Sequence, residues 1–324
     1  MTDNKHITEV AGRRFETPIL LIVFKRPNTT QQVFNAIRQQ QPKYLYVAAD
    51  GPRQDKDGER ELCEQARAII KQIDWDCEVK TLFREHNIGV GKSITEAIAW
   101  FFENEEMGII LEDDCVPHQD FFPYCAELLV KYKDDPRVMV ISGSNSTGKM
   151  NLGGDASYYF FSKYFLTWGW ACWRKTWMDY SLTLDDYTIK EYRKIVKNKF
   201  SSWSERMARM DRFERFKMGD LNEMIAWDGQ FVFYMHRKNA LSIVPNVNLI
   251  TNIGIGKDAT NTFKITKNNN SWPTAKIMPL RHPDKITINE VAETYYFQHF
   301  IKKSFYATIY RYVRRTIIKL LRYK

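Results

Sequence analysis

Over the first 145 residues, short apolar runs alternate with longer stretches in which apolar positions recur every three or four residues. The runs Pro18–Phe24 (PILLIVF), Tyr44–Ala49, Glu78–Phe83, Gly108–Leu111 and Val138–Ser142 are short and rich in β-branched or aromatic residues, which predicts strands. Helices are predicted between them: from Pro27 and Asn28 to Gln40, over 58–73, over 91–104, and over 121–133 with Asp120 as N-cap. Strands and helices alternating at this spacing predict an α/β fold, with a mostly parallel sheet covered by helices. Right-handed crossovers carry the C-terminal strand ends to one edge, outside which ligands bind. Asp50 and the triplet Glu112-Asp113-Asp114 fall at such ends.

After residue 150 the rhythm is lost. Residues 157–180 are aromatic-rich, 186–225 read as helical and charged, 228–250 read as short strands mixed with turns, and 251–285 read as loop. The predicted organisation is a polar leader over 1–16, an alternating α/β half over 17–150, a second half over 151–285 and a C-terminal helical tail over 286–324.

The chain has 324 residues, enough for a full hydrophobic core. The net charge of +9 raises the question of nucleic acid, but eight basic residues lie in 301–324 with no acid among them, which leaves +1 for everything else. Without a basic stripe or a recognition motif, nucleic acid is not an expected partner. Apolar and aromatic residues recur along one face of that segment (301, 305, 309, 312, 313, 317, 320, 321), and the basic ones take much of the remainder. This pattern predicts a basic amphipathic helix on an anionic membrane surface; the alternative is a helix packed on the body or on another subunit. Five scattered cysteines with no zinc spacing, no apolar signal segment and no run of about 18 apolar residues lead to the expectation of a cytoplasmic protein at the inner face of the membrane.

Three consecutive carboxylates at the end of a buried strand repel one another, and a divalent cation removes that cost. Hard oxygen ligands favour Mn²⁺ or Mg²⁺, often shared with phosphates. Alone, the triplet reads more readily as a solvated acidic turn after a strand. Its company extends further. Ile109-Ile110-Leu111-Glu112-Asp113-Asp114 resembles the metal-binding segment of GT-A-type glycosyltransferases, and the EDD variant is similar to that of the N-acetylglucosaminyltransferase I family and its bacterial relatives. Phe24-Lys25-Arg26-Pro27, Ala49-Asp50-Gly51, and Trp227-Asp228 followed by a polar stretch with Gly254 and Gly256 resemble further segments of that family, in order, over roughly residues 17–265.

The resemblance implies a GT-A (Rossmann-like) fold and an inverting, metal-dependent transfer of sugar from a nucleotide-diphosphate sugar, UDP-linked as in that family. The acceptor would be a glycan or lipid-linked glycan of surface polysaccharide. It implies Asp114 as the direct metal ligand, Glu112 and Asp113 at the sugar, ribose and metal-bound waters, Asp50 at the nucleoside, and Arg26 near the nucleotide. Arg84, with the Asn87–Gly91 loop, is a further candidate for the diphosphate because a guanidinium matches phosphate oxygens; it reads equally as a surface ion-pair partner. Asp228 would be the catalytic base; otherwise Asp228-Gly229 is a turn or an N-cap for 230–236. Asp211, Asp220 and Glu223 are fallbacks. Trp168-Gly169-Trp170 and Trp173 are candidates for an acceptor wall, against the simpler reading as core. Two other functions compete: a sugar-1-phosphate nucleotidyltransferase, which wants a glycine-rich loop where Lys25-Arg26-Pro27-Asn28 stands, and a catalytically silent carbohydrate-binding or membrane scaffold.

Overall fold

A computed structural model describes residues 14–148, 152, 154–220, 227–254, 272–302, 309, 310 and 313. An eight-stranded mixed sheet is flanked by helices. Its strands are β1 (Ile19–Val23), β2 (Tyr44–Ala49), β3 (Glu78–Phe83), β4 (Met107–Glu112), β6 (Val138–Ser142), β7 (Tyr159–Ser162), β8 (Trp170–Trp173) and β9 (Leu241–Pro245). Their order is β3-β2-β1-β4-β8-β6-β9-β7, and β5 (Cys115–Pro117) pairs separately with β10 (Ile250–Asn252).

Strands β3, β2, β1 and β4 run parallel, linked by α1 (Pro27–Gln40), α2 (Glu59–Ala68) with a 3-10 turn over Ile69–Gln72, and α3 (Val90–Asn104). Helix α1 shows why the sequence reading works here. Pro27 opens it, Thr30, Val33, Phe34 and Ile37 turn one stripe into the core, and Gln41 ends it in the left-handed region at φ 46°. The register sets the functional edge: Ile22 pairs Glu112, Val23 pairs Ala49, and Ala49 pairs Phe83. Arg26, Asp50, Arg84 and the acidic triplet therefore leave the sheet side by side.

Residue 150 does not divide the sheet. Strand β8 inserts antiparallel between β4 and β6, and β9 joins β6 in parallel. Residues 228–250 read from sequence as short strands and turns; their first part is instead a helix, α8 (Trp227–Arg237). Before it come α4 (Phe121–Lys131), α5 (Arg174–Trp177), α6 (Ile189–Lys199) and α7 (Trp203–Lys217). Nine of the eleven residues of α8 are buried, so it lacks the one-sided stripe that marks a surface helix. Asp120 does not cap α4: it has helical backbone angles, and its carboxylate accepts the N–H groups of Ile277 and Met278 at 2.9 and 3.1 Å.

Residues 286–301 are part of the body. Helix α9 (Glu290–Tyr296) buries Ala292 and Tyr296, and its Glu293 accepts from the Ser162 hydroxyl at 2.6 Å. Most of the predicted amphipathic helix over 301–324 lies outside the described residues. Among the described residues, no helix is long and apolar enough to cross a membrane.

Helices α6, α7 and α8 enclose a second core of Tyr187, Tyr192, Val196, Phe200, Phe213 and Phe233. His236 sits in it, its Nδ1 3.0 Å from the Tyr192 hydroxyl. Burial, and then the cations Arg209, Lys199 and Lys163, push its pKa well below the usual 6.5. The folded protein thus holds neutral an imidazole that the unfolded chain protonates near pH 6.5. The linked stability is complete above that pH and is lost as pH falls below it, at about 1.4 kcal/mol per pH unit. The raised carboxyls of Glu112 and Asp113 act in the opposite direction, so the measure is the difference in urea stability between wild type and His236→Gln, which should shift against wild type between pH 7.5 and 5.5.

Candidate active site

The site is built on the ends of β1 and β4. Asp113 is buried, and its Oδ2 accepts the Phe24 N–H at 3.4 Å and the Arg26 Nε–H at 3.3 Å, while Arg26 Nη2 reaches its Oδ1. Arg26 Nη1 lies 2.8 Å from Asp114 Oδ2, so one guanidinium bridges both aspartates. Their charges raise its pKa even though its burial acts in the opposite direction.

Glu112 lies beside them. Its pKa is pushed well above the usual carboxylate range, first by burial and then by the charges of Asp114 and Asp113. Asp113 is raised to about 6, mainly by burial, against the pull of Arg26. Asp228 adds to the charge felt by Glu112, although 114 positions of sequence separate Asp228 from Asp114. Two contacts aim it there: Trp227 stacks on Trp170 at 5.6 Å, and the Tyr180 hydroxyl donates to the Trp227 carbonyl at 3.0 Å. The Asp228 side chain is 40% exposed, open to a substrate, with Arg212 Nη2 at 3.8 Å.

The backbone after β10 closes the other side. Ile253 N–H donates to the Asp114 carbonyl at 2.9 Å, and a side chain at position 254 would put its Cβ 1.9 Å from Asp114 Oδ2. Glycine at 254 is therefore required by contact with the triplet, which sequence spacing could not reveal.

Asp50 is buried at the end of β2, and burial raises its pKa. Its Oδ1 accepts from the N–H groups of Gly51 and Ile88, and its Oδ2 from Asn87 Nδ2 at 3.0 Å. It fixes the 87–91 loop at the mouth of the site. Arg84 pairs with Glu96 through Nη2 at 2.9 Å, while its buried Nη1 has no hydrogen-bond partner among the described residues. The ion-pair reading of Arg84 is the one these contacts show. Sequence reasoning missed Glu59: its carboxylate holds Arg53 and, at 2.7 Å, Lys25, and these hydrogen bonds, Arg53 first, lower its pKa to about 2.

The proposed acceptor wall is corrected. Trp170 and Trp173 are 1% and 3% exposed, because β8 lies in mid-sheet and its faces are covered. Trp168 is half-buried against the same core. Of the fallback bases, Asp211 and Asp220 pair with Arg215, and Glu223 lies outside the described residues.

A divalent ion fits the donor set in one particular way. One guanidinium meets two of the three carboxylates of the triplet, leaving an excess of hard, negative oxygen where burial makes it costly. Yet among the described residues no three His, Cys, Asp or Glu side chains surround a common ion position. The set suits an ion that takes one or two carboxylates from protein and completes its shell with substrate phosphates and water, as Mg²⁺ and similar ions do.

No family model matches the sequence, and no curated protein matches it significantly. Among solved structures, nucleotidyltransferases and glycosyltransferases are distantly similar. HddC from Yersinia pseudotuberculosis is 8% identical over 53% of this chain and 80% of that one, at a TM-score of 0.30. A cytidylyltransferase from Leptospira borgpetersenii serovar Hardjo-bovis is 10% identical over 58% and 66%, at 0.31. The glycosyltransferase GlyE of Streptococcus pneumoniae TIGR4 is 10% identical over 70% of this chain and 45% of that one, at 0.31. Likeness this distant carries no weight for what the chain does.

Proposed function

We propose that this chain is an inverting, metal-dependent glycosyltransferase of GT-A type that uses a nucleotide-diphosphate sugar, UDP-linked by the resemblance in sequence. One observation carries the reading: Glu112, Asp113 and Asp114 stand at the C-terminal edge of a largely parallel sheet with Arg26 between the aspartates, and the charge of Asp228, from another segment, is felt at Glu112. Asp114 would hold the ion together with the donor diphosphate, Asp113 would keep Arg26 toward the nucleotide, and Glu112 would face the sugar. An ion bound there supplies positive charge for the departing diphosphate.

Asp228, exposed on the first turn of α8, takes the proton from the acceptor hydroxyl as that oxygen bonds to the anomeric carbon. The bond from that carbon to the diphosphate oxygen breaks on the opposite face, which inverts the configuration. A single carboxylate suffices for this proton transfer, unlike the two of a glycosidase. The acceptor in this reading is a glycan or lipid-linked glycan of surface polysaccharide, and the basic segment 301–324 would hold the enzyme on an anionic inner membrane face.

Purified protein with Mn²⁺ is expected to hydrolyse one of a panel of nucleotide sugars slowly, releasing nucleoside diphosphate, and to stop when EDTA is added. Release of pyrophosphate from a nucleoside triphosphate and a sugar 1-phosphate, or no turnover with any member of the panel, would overturn the assignment.

A further inference from the structure

A second concavity opens over the C-terminal ends of β6 and β9. Both strands run parallel to β4, since β4 and β6 each pair antiparallel with β8, so it faces the same edge as the acidic triplet. Its volume is about 490 Å³, within the range of small-molecule sites. The mechanism above uses none of its lining.

The floor is rigid. Asn145 donates from Nδ2 to the Pro245 carbonyl at 2.6 Å and accepts the Thr147 N–H at 2.8 Å. Asn248 accepts the Asn145 N–H at 3.0 Å and donates to the carbonyls of Ile250 and Trp272 at 2.7 and 2.6 Å. These bonds pin Trp272 as one wall. Its indole N–H donates to the Ser146 carbonyl at 3.0 Å, and the ring lies over Gly148, where a Cβ would come within 3.1 Å of it. Gly148 also has φ +67°, which a larger residue would resist. The indole is nevertheless 38% exposed. Asp155 and Arg281, 3.4 Å apart, bring polar groups to that side.

The amides of Asn145 and Asn248 are spent on holding the floor, but a fixed, half-open indole beside the Asp155 carboxylate and the Thr274 hydroxyl matches a sugar ring, with C–H faces for the indole and hydroxyls for the polar groups. The described residues lining the cavity include no Lys or Arg, which disfavours a phosphate, and the Asp155 carboxylate among them disfavours a lipid chain. Asn248 lines the cavity and Gly254 lies against Asp114, six residues on. An extended chain covers at most about 3.3–3.6 Å per residue, so Asn248 and Gly254 are at most about 22 Å apart.

We infer that this cavity is a saccharide subsite, holding a residue of the acceptor glycan away from the point of transfer. The term acceptor rests on the transferase reading; the saccharide chemistry does not.

The test is an array of immobilised oligosaccharides of defined composition, probed with the full chain without donor. Wild-type protein should bind a subset. Trp272→Ala, and Ala156→Trp, which fills the cavity without removing the indole, should each lower that binding by at least about tenfold. Trp272→Phe should keep most of it. Melting temperature and Mn²⁺-dependent hydrolysis of the nucleotide-sugar panel should stay unchanged in Ala156→Trp. Binding that persists in a protein without such hydrolysis would keep the saccharide site and remove only the transferase reading. No binding by wild type to any saccharide, or equal binding by wild type and both blocking variants, would overturn the inference.

Discussion

Asp228→Asn is expected to bind donor as tightly as wild type and to transfer sugar at least about a hundredfold more slowly, since a positioned general base contributes about 10²–10⁴ in rate. The substitution keeps the shape of the side chain and removes its basicity. Trp227 anchors the helix start through its ring and its carbonyl, neither of which the change touches. Asp228 is also too exposed, at 40%, for a loss of charge to unsettle the core. The effect should therefore fall on the chemical step, read as kcat against an unchanged KM for donor. A variant that transfers at the wild-type rate would remove Asp228 from the mechanism.

Asp114→Ala should act earlier, on binding. Changes behind a metal ligand already cost about 10–100-fold in affinity, so removal of the direct ligand should cost at least about a hundredfold in Mn²⁺-dependent donor affinity. Fold stability is expected to survive. Arg26 keeps its bonds to Asp113, and the strand end loses one of several crowded negative charges. Isothermal titration with and without Mn²⁺, beside a melting curve of the free protein, separates the two effects. Unchanged metal-dependent binding would remove Asp114 as the ligand.

The half of the fold carrying the donor-site candidates was legible because its elements obey local rules. Strands β1 and β2 are short apolar runs, and α1 and α3 each turn one stripe inward, so period and punctuation locate them. From parallel strands, the side-by-side exit of Arg26, Asp50, Arg84 and Glu112-Asp113-Asp114 followed almost as a corollary. The second half was less legible for physical reasons. Helix α8 is buried on nearly every side and shows no period. Strands β7 and β8 lie inside an aromatic stretch whose core role and surface role look alike in sequence. Gly254 against Asp114, Glu59 holding Lys25 and Arg53, and the pinned Trp272 are long-range contacts that no local pattern encodes. Asp228 shows the boundary most clearly. Its residue type and its neighbour Trp227 suggested a role, but only the packing of Trp227 on Trp170 shows how the segment is held where its charge is felt at Glu112.

The proposed role of the triplet as metal and donor site bears directly on the melting temperature of the full chain against a panel of nucleotide-diphosphate sugars, with Mn²⁺ and with EDTA, because a ligand that binds only the folded state raises its stability. A rise is expected for at least one nucleotide sugar with Mn²⁺, disappearing with EDTA and in Asp114→Ala. No rise with any member of the panel, or a rise of the same size in EDTA, would contradict that role.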